Sequence, residues 1–280
     1  MLQRHTLLLL LLLLVGPALS ALAAPRFQPA GLAHGHGLPA RATSVRASLT
    51  PAAPPAGVDW ARLCGVYPAA TLAEFGLIAA CLRGADALGT LPAAGVPTLF
   101  LFLSLRSRVF SPLVARRPDR SQQGGAATPR EVKRPKWTPP GIAFPFIWIT
   151  ISILRASSSL VVWKATGRKL CSRPLLGLVA HLCVGDTWNC VTNVERRLGT
   201  SALGVLLVLS SVLYAAWGYA AVAPLAAKLL LPSAVWISIA SVLTWNIWAI
   251  NEPREPLLPR LGDGKGSELR LPLVADVLQK

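Results

Sequence analysis

Five residues between Trp148 and Trp163 carry the first chemical signal in the chain. Trp148, Ser152, Arg155, Ser159 and Trp163 recur at i, i+4, i+7, i+11 and i+15, which on a helix confines them to roughly one quarter of the circumference. A second stripe holds His181, Gly185, Trp188 and Thr192 with Asn189 beside it, and a third holds Ser241, Thr244, Trp248 and Asn251. In a lipid environment such faces turn inward. Together they predict an aromatic, mildly polar cavity. Plainer readings exist for each stripe: Ser and Thr bond back to their own helix or allow close packing, and Trp163, like Trp137, suits an interfacial anchor.

Arg155 stands near the middle of its apolar run, where a guanidinium costs at least a few kcal/mol and needs a partner. Counting about 1.5 Å per residue from opposite ends of antiparallel helices brings Asp186 to a similar depth. The expectation is a structural ion pair between Arg155 and Asp186. No catalytic constellation accompanies it. Cys64, Cys81, Cys171, Cys183 and Cys190 show neither CxxC spacing nor a histidine at metal-ligand distance, so no metal site and no disulfide framework is expected. His34 and His36, in AHGHG, read as loop residues.

The elements that must position these residues are membrane spans. Of the 280 residues only 14% are charged and mean hydropathy is +0.51; the uncharged runs approach the roughly 20 residues a bilayer requires. That excludes a soluble globular protein and makes the lipid bilayer a partner. The formal charge of +16 flanks the apolar runs and forms no nucleic-acid module, so no nucleic acid is expected. In KRPKWTPPGIAFPFIWITI (133 to 151), basic residues and Trp137 mark a headgroup boundary, and Pro139 and Pro140 mark a helix start.

Five spans follow, near Ala87–Leu105, Gly141–Trp163, Leu175–Val194, Ser201–Val222 and Leu229–Ile250, with an interfacial helix expected over Ala69–Leu82 because Glu74 interrupts it. The fold class is an all-α membrane protein, a five-transmembrane-helix bundle. The first long loop, from Arg106 to Lys136, and Arg196 with Arg197 place most Lys and Arg on one side, which faces the compartment of insertion; Lys164, Arg168, Lys169 and Arg173 weaken that bias.

The amino terminus reads as an address. Residues 1–23 have Arg4, a leucine run and a small-x-small site at Ala21-Leu22-Ala23, the layout of a signal peptide. Residues 24–58 are rich in Ala, Pro, Ser, Thr and Gly and contain no acid, the composition of an organelle transit segment. The pair resembles the two-part presequence of a plastid bounded by extra membranes; the alternative is an ER or secretory membrane protein with a disordered linker. Residues 59–86 are a linker with the interfacial helix, 87–251 the helical domain, and 252–280 a flexible tail.

The stretch RPKWTPP, with the span that ends LVVWK, resembles the start of the second helix in the TspO/MBR family, the tryptophan-rich sensory proteins and translocator proteins. AAKLLLPSAVWISIASVLTWNIWAIN, residues 226 to 251, resembles the family's fifth-helix pattern through Pro232, Trp236, Ala240, Leu243, Trp248 and Asn251, and VGDTWNCVTNVERRLG keeps Trp188 and Arg196 of the third. The resemblance implies a five-helix bundle, often a homodimer, that binds porphyrin or haem as a ligand rather than an obligatory cofactor. By correspondence Trp137, Trp148, Trp188, Trp236 and Trp248 are cavity or gate positions, joined from the stripes by Ser152, Arg155 and Thr244. There are departures: Gly185 and Thr244 replace family asparagines, Ala249 replaces the arginine of the animal sterol consensus, and Arg155 replaces an apolar residue.

The function expected is binding of a tetrapyrrole or similar hydrophobic ligand, for its transport, sensing or homeostasis in a plastid envelope or thylakoid membrane. The alternatives are a structural or assembly partner in a plastid membrane complex and a light-dependent porphyrin-degrading enzyme.

Overall fold

The computed structural model describes residues 57–89, 91–106, 109–114 and 132–269. The expected signal peptide and nearly all of the transit-like segment lie outside those residues. Six α-helices carry the described part: α1 (Tyr67–Leu88), entered through a π-helical turn at Ala61–Val66, α2 (Val96–Leu105), α3 (Ala143–Ala165), α4 (Arg173–Asn193), α5 (Leu198–Ala220) and α6 (Pro224–Ile250). Proline occupies the first turn of α1, α2, α4 and α6, where its missing N–H costs nothing. Ahead of α3, the N–H of Ala143 bonds to the carbonyl of Pro140 at 2.9 Å, so the Pro139–Pro140 pair forms the turn that leads in.

The amino-terminal half corrects the expected five spans. The uncharged run Ala87–Leu105 is not one helix: Gly89 ends α1 in the left-handed region at φ 55°, a conformation that glycine adopts without penalty, and α2 is only 10 residues long. The segment expected as an interfacial helix is instead part of a 28-residue apolar stretch, Ala61–Leu88, long enough to cross a bilayer, as are α3, α5 and α6. Glu74 is tolerated there because it is buried against a cation. Among the described residues there are thus six helices and four long apolar spans. α4 is too polar to rank with those four, yet it packs between α1 and α5 with His181, Asp186 and Thr187 buried.

Around this helix the remaining contacts run α4 to α5, α5 to α6, α6 to α3 and α3 to α2. Val162, Cys183, Val212, Tyr219 and Leu230 sit in the shared core. Because lipid is as apolar as that core, close packing and internal polar bonds hold such helices together. The Ser158 hydroxyl donates to the Ala226 carbonyl at 2.7 Å, and Ser159 meets the Tyr219 hydroxyl at 3.0 Å. Asp86, near the end of α1, accepts the N–H groups of Leu170 and Cys171 at 2.8 and 2.7 Å.

The flexible tail expected over 252–280 is corrected for residues 252–269, and the rest of it lies outside the described residues. Residues 252–269 fold back as a strap over the end of the bundle where α1 begins and α4 ends. Glu268 and Leu269 (β2) pair antiparallel with Leu113 and Val114 (β1), and Arg260 bridges Val58. Glu195, in the α4–α5 turn, is the anchor. It accepts the Ser267 hydroxyl at 2.6 Å, the Ser267 N–H at 3.0 Å, Arg62 at 3.1 Å and Arg197 at 2.9 Å, and bonds to Tyr67 as well. Arg197 continues the network to Asp263 at 3.0 Å.

Two predictions arise from the strap. A Cβ on Gly199 would stand 2.1 Å from the Pro256 carbonyl oxygen, so Gly199→Ala forces the strap's backbone away. The expected cost is about 1–3 kcal/mol, read as a lowered melting temperature and faster proteolysis at residues 252–269. The second prediction concerns pH. Burial alone would raise the Glu195 carboxyl, but the bonds from Ser267 and Tyr67 and the Arg62 charge hold it below its usual value. A depressed folded-state value means that its contribution is present above the ordinary carboxylate range and is lost as pH falls through the folded value. Strap proteolysis should therefore accelerate as pH falls below the ordinary carboxylate range, and Glu195→Gln should weaken that step, the remainder belonging to Asp263, which burial would raise but the Arg197 bond holds below its usual value.

Candidate functional site

A cavity of about 380 Å3 opens between α2, α3, α4, α5 and α6. α3 supplies Trp148, Ser152 and Arg155, α4 supplies His181, Gly185, Asp186, Trp188 and Asn189, and the remaining wall includes Ser104, Val205, Val208, Ile237 and Ala240, with Arg106 at the end of α2. The helical spacing explains the α3 contribution: residues 148, 152 and 155 share one face, and that face looks into the bundle.

Arg155 is the polar centre. Its Nε donates to the Ser233 hydroxyl at 3.1 Å, and its Nη2 lies 2.9 Å from His181 Nε2. A guanidinium only donates, so Nε2 must accept and His181 must carry its proton on Nδ1. That Nδ1–H points to the Ser211 hydroxyl at 2.9 Å, and Ser211 donates to the Val208 carbonyl at 2.7 Å. The chain of donors fixes a neutral histidine beside a charged arginine. Below the guanidinium, the Trp148 ring centroid lies 6.0 Å from Cζ, a cation–π distance.

The expected pairing of Arg155 with Asp186 is not a direct ion pair, although the Asp186 charge does act on the Arg155 guanidinium. Asp186 Oδ2 lies 3.2 Å from Arg106 Nη1, and the same Arg106 nitrogen bonds to Glu74. Among the described residues no ion pair joins Arg155 to a carboxylate. The depth estimate placed Asp186 at about the right level, but rotation about α4 turns it toward α1 and α2. Arg106 and Glu74 were the residues missed. A lone acid inside one apolar run and a lone base closing the next were the available signal, because opposite charges in neighbouring spans seek each other.

Of the eight ligand residues expected from sequence, Trp148, Ser152, Arg155 and Trp188 line this cavity. The other four lie elsewhere. Trp137 is half exposed in the turn before α3. Trp236 is buried edge-on against Phe144, with ring centroids 5.8 Å apart. Thr244 bonds back to the Ala240 carbonyl at 2.8 Å. Trp248 donates to the Glu255 carbonyl at 2.7 Å and stacks edge-on with Trp245, so it helps to seat the strap.

Comparison with known proteins bears on this arrangement. Residues 109–249 match the model of the TspO/MBR family, half of the chain. The chain belongs to the TspO/MBR family. Over 127 residues it is 26% identical to protein CrtK of Rhodobacter capsulatus, covering 45% of this chain and 79% of that protein. Over 122 residues it is 26% identical to the human translocator protein, covering 43% and 72%. The translocator protein 2 of the dog is 32% identical over 120 residues, 41% of this chain and 69% of that protein. The TspO/MBR match takes in α3, α4, α5 and nearly all of α6, whereas α1 and α2 precede it. Arg106 in the cavity wall, and the Glu74 that pairs with it, therefore belong to the part of the chain outside the match. Membership agrees with the apolar helices in making this an integral membrane protein.

Proposed function

We propose that this protein binds a tetrapyrrole, or a similarly flat hydrophobic molecule with a carboxylate edge, and serves in its transport, sensing or homeostasis. The observation that carries the reading is Arg155: buried, bonded to two neutral side chains, and set beside Trp148 in a cavity also walled by Trp188. An indole offers a ring face to a macrocycle, and a guanidinium in a low-dielectric wall favours an anion strongly. The volume falls in the roughly 300–1,000 Å3 range of small-molecule sites. Relatives named translocator proteins are in keeping with a transport role. The composition of residues 1–58 supports a plastid membrane as its place.

The test is quenching of tryptophan fluorescence in the detergent-solubilised protein during titration with protoporphyrin IX. Saturable micromolar quenching that weakens in Trp148→Phe is expected. Absence of saturable quenching in a folded sample would replace the binding role with an assembly role, and loss of bound pigment on illumination would indicate a degrading enzyme.

A further inference from the structure

A second concavity lies on the opposite side of Trp188, between α1, α4 and α5. It encloses about 480 Å3 and is lined chiefly by apolar side chains, among them Leu63, Leu72, Val184, Leu203 and Leu207. The polar groups in its wall are mostly spent inside the protein. Thr71 and Thr187 bond to each other at 2.7 Å, Tyr67 is tied to Glu195, and Trp188 Nε1 donates to the Ser201 carbonyl at 3.0 Å. Thr200 alone among these side chains makes no bond to the described residues, and it sits in the first turn of α5, at the strap end. A groove with so little left to offer a polar ligand selects hydrocarbon.

Its length and depth identify the hydrocarbon. From Leu63 in the π-helical turn to Leu72 in α1 is roughly 13 Å, and from Thr200 to Leu207 along α5 roughly 10 Å, at about 1.5 Å per residue. Half of a hydrocarbon core about 30 Å thick is close to the same distance. The groove begins near the strap end, where Trp60 is 59% exposed at a level that suits an indole among headgroups, and it stops near the middle of the bundle. We propose that it is a binding site for one acyl chain of a bilayer lipid, with the chain seated against Trp188 and the headgroup at the level of Trp60. Gly204 leaves the indole its place: a Cβ there would stand 3.0 Å from Trp188 Cδ1. The same indole lines the cavity, so the lipid site and the cavity share a wall. α4 and α5 lie within the family match and α1 precedes it, so the groove is formed across that boundary.

The test stands apart from any tetrapyrrole. The full chain is reconstituted in phosphatidylcholine vesicles with or without bromine at mid-chain, and the emission of Trp188 is obtained as the difference between the protein and its Trp188→Phe variant. Brominated chains should quench that emission by more than half. Val184→Phe, which fills the groove, should restore it in a protein of unchanged helicity; Leu203→Phe is the second filler where the first fails to fold. No quenching overturns the proposal, and so does quenching that persists in the filled variants, since bulk lipid then reaches the indole without a site.

Discussion

Arg106→Leu is expected to leave the protein barely folded or unfolded. The substitution strips Glu74 and Asp186 of a shared cation inside the bundle, where the Arg106 and Glu74 side chains are 1% and 0% exposed. Removing one partner of a buried pair costs about 3–5 kcal/mol, a large share of the roughly 5–15 kcal/mol that holds an ordinary domain together. Charge arithmetic sharpens the prediction. Among the described residues the group has two carboxylates, Glu74 and Asp186, and two guanidiniums, Arg106, which pairs with both, and Arg155, on which the Asp186 charge acts. Arg106→Leu leaves two anions against one cation, whereas the double variant Glu74→Leu/Arg106→Leu leaves one of each. The double variant should therefore melt above the single one, although it carries more substitutions. Thermal melts in detergent decide it: a double variant as unstable as the sum of its parts would mean that Glu74 and Arg106 act independently, against the geometry.

The same pair shows where the sequence was and was not legible. α3 to α6 could be read because each is a long uncharged or nearly uncharged run, and their bounds fall within a few residues of expectation. The run before them misled because absence of charge is not the same as helix continuity. Gly89 and Pro92 break it, while Glu74 made a true apolar helix look interfacial. Periodicity told which face of α3 turns inward, so Trp148, Ser152 and Arg155 were placed together. It gave no torsional reference between helices, so the close pairing of Asp186 with Arg106 was not legible. Trp236 came from family correspondence, Thr244 from the helical stripe and Trp248 from both; each signal gives a residue's place along a helix but not its neighbour in the fold. The strap itself was illegible for a related reason. Its alternating charges look solvated locally, and only the fold reveals that Asp263 and Ser267 answer Arg197 and Glu195.

Arg155→Leu should weaken protoporphyrin IX binding by about tenfold to a hundredfold, the equivalent of one charge-assisted hydrogen bond of roughly 1.5–3 kcal/mol. The difficulty is that Arg155 also holds Ser233 and His181, so a loss of affinity could reflect a collapsed wall. Two comparisons separate the causes. Protoporphyrin dimethyl ester has the same ring without the carboxylates; if Arg155 acts on the anion, the ester binds the native protein more weakly than the acid and is nearly indifferent to Arg155→Leu. If Arg155 only supports the wall, acid and ester lose affinity equally. Arg155→Lys then tests geometry. A lysine keeps the charge but cannot donate from a planar fork to Ser233, His181 and a ligand together, so it should recover part of the acid's affinity while leaving the His181 bond unmade. Equal losses for acid and ester, unrelieved by lysine, would remove Arg155 from the binding site and leave it as a structural member of the α3–α4–α6 contact.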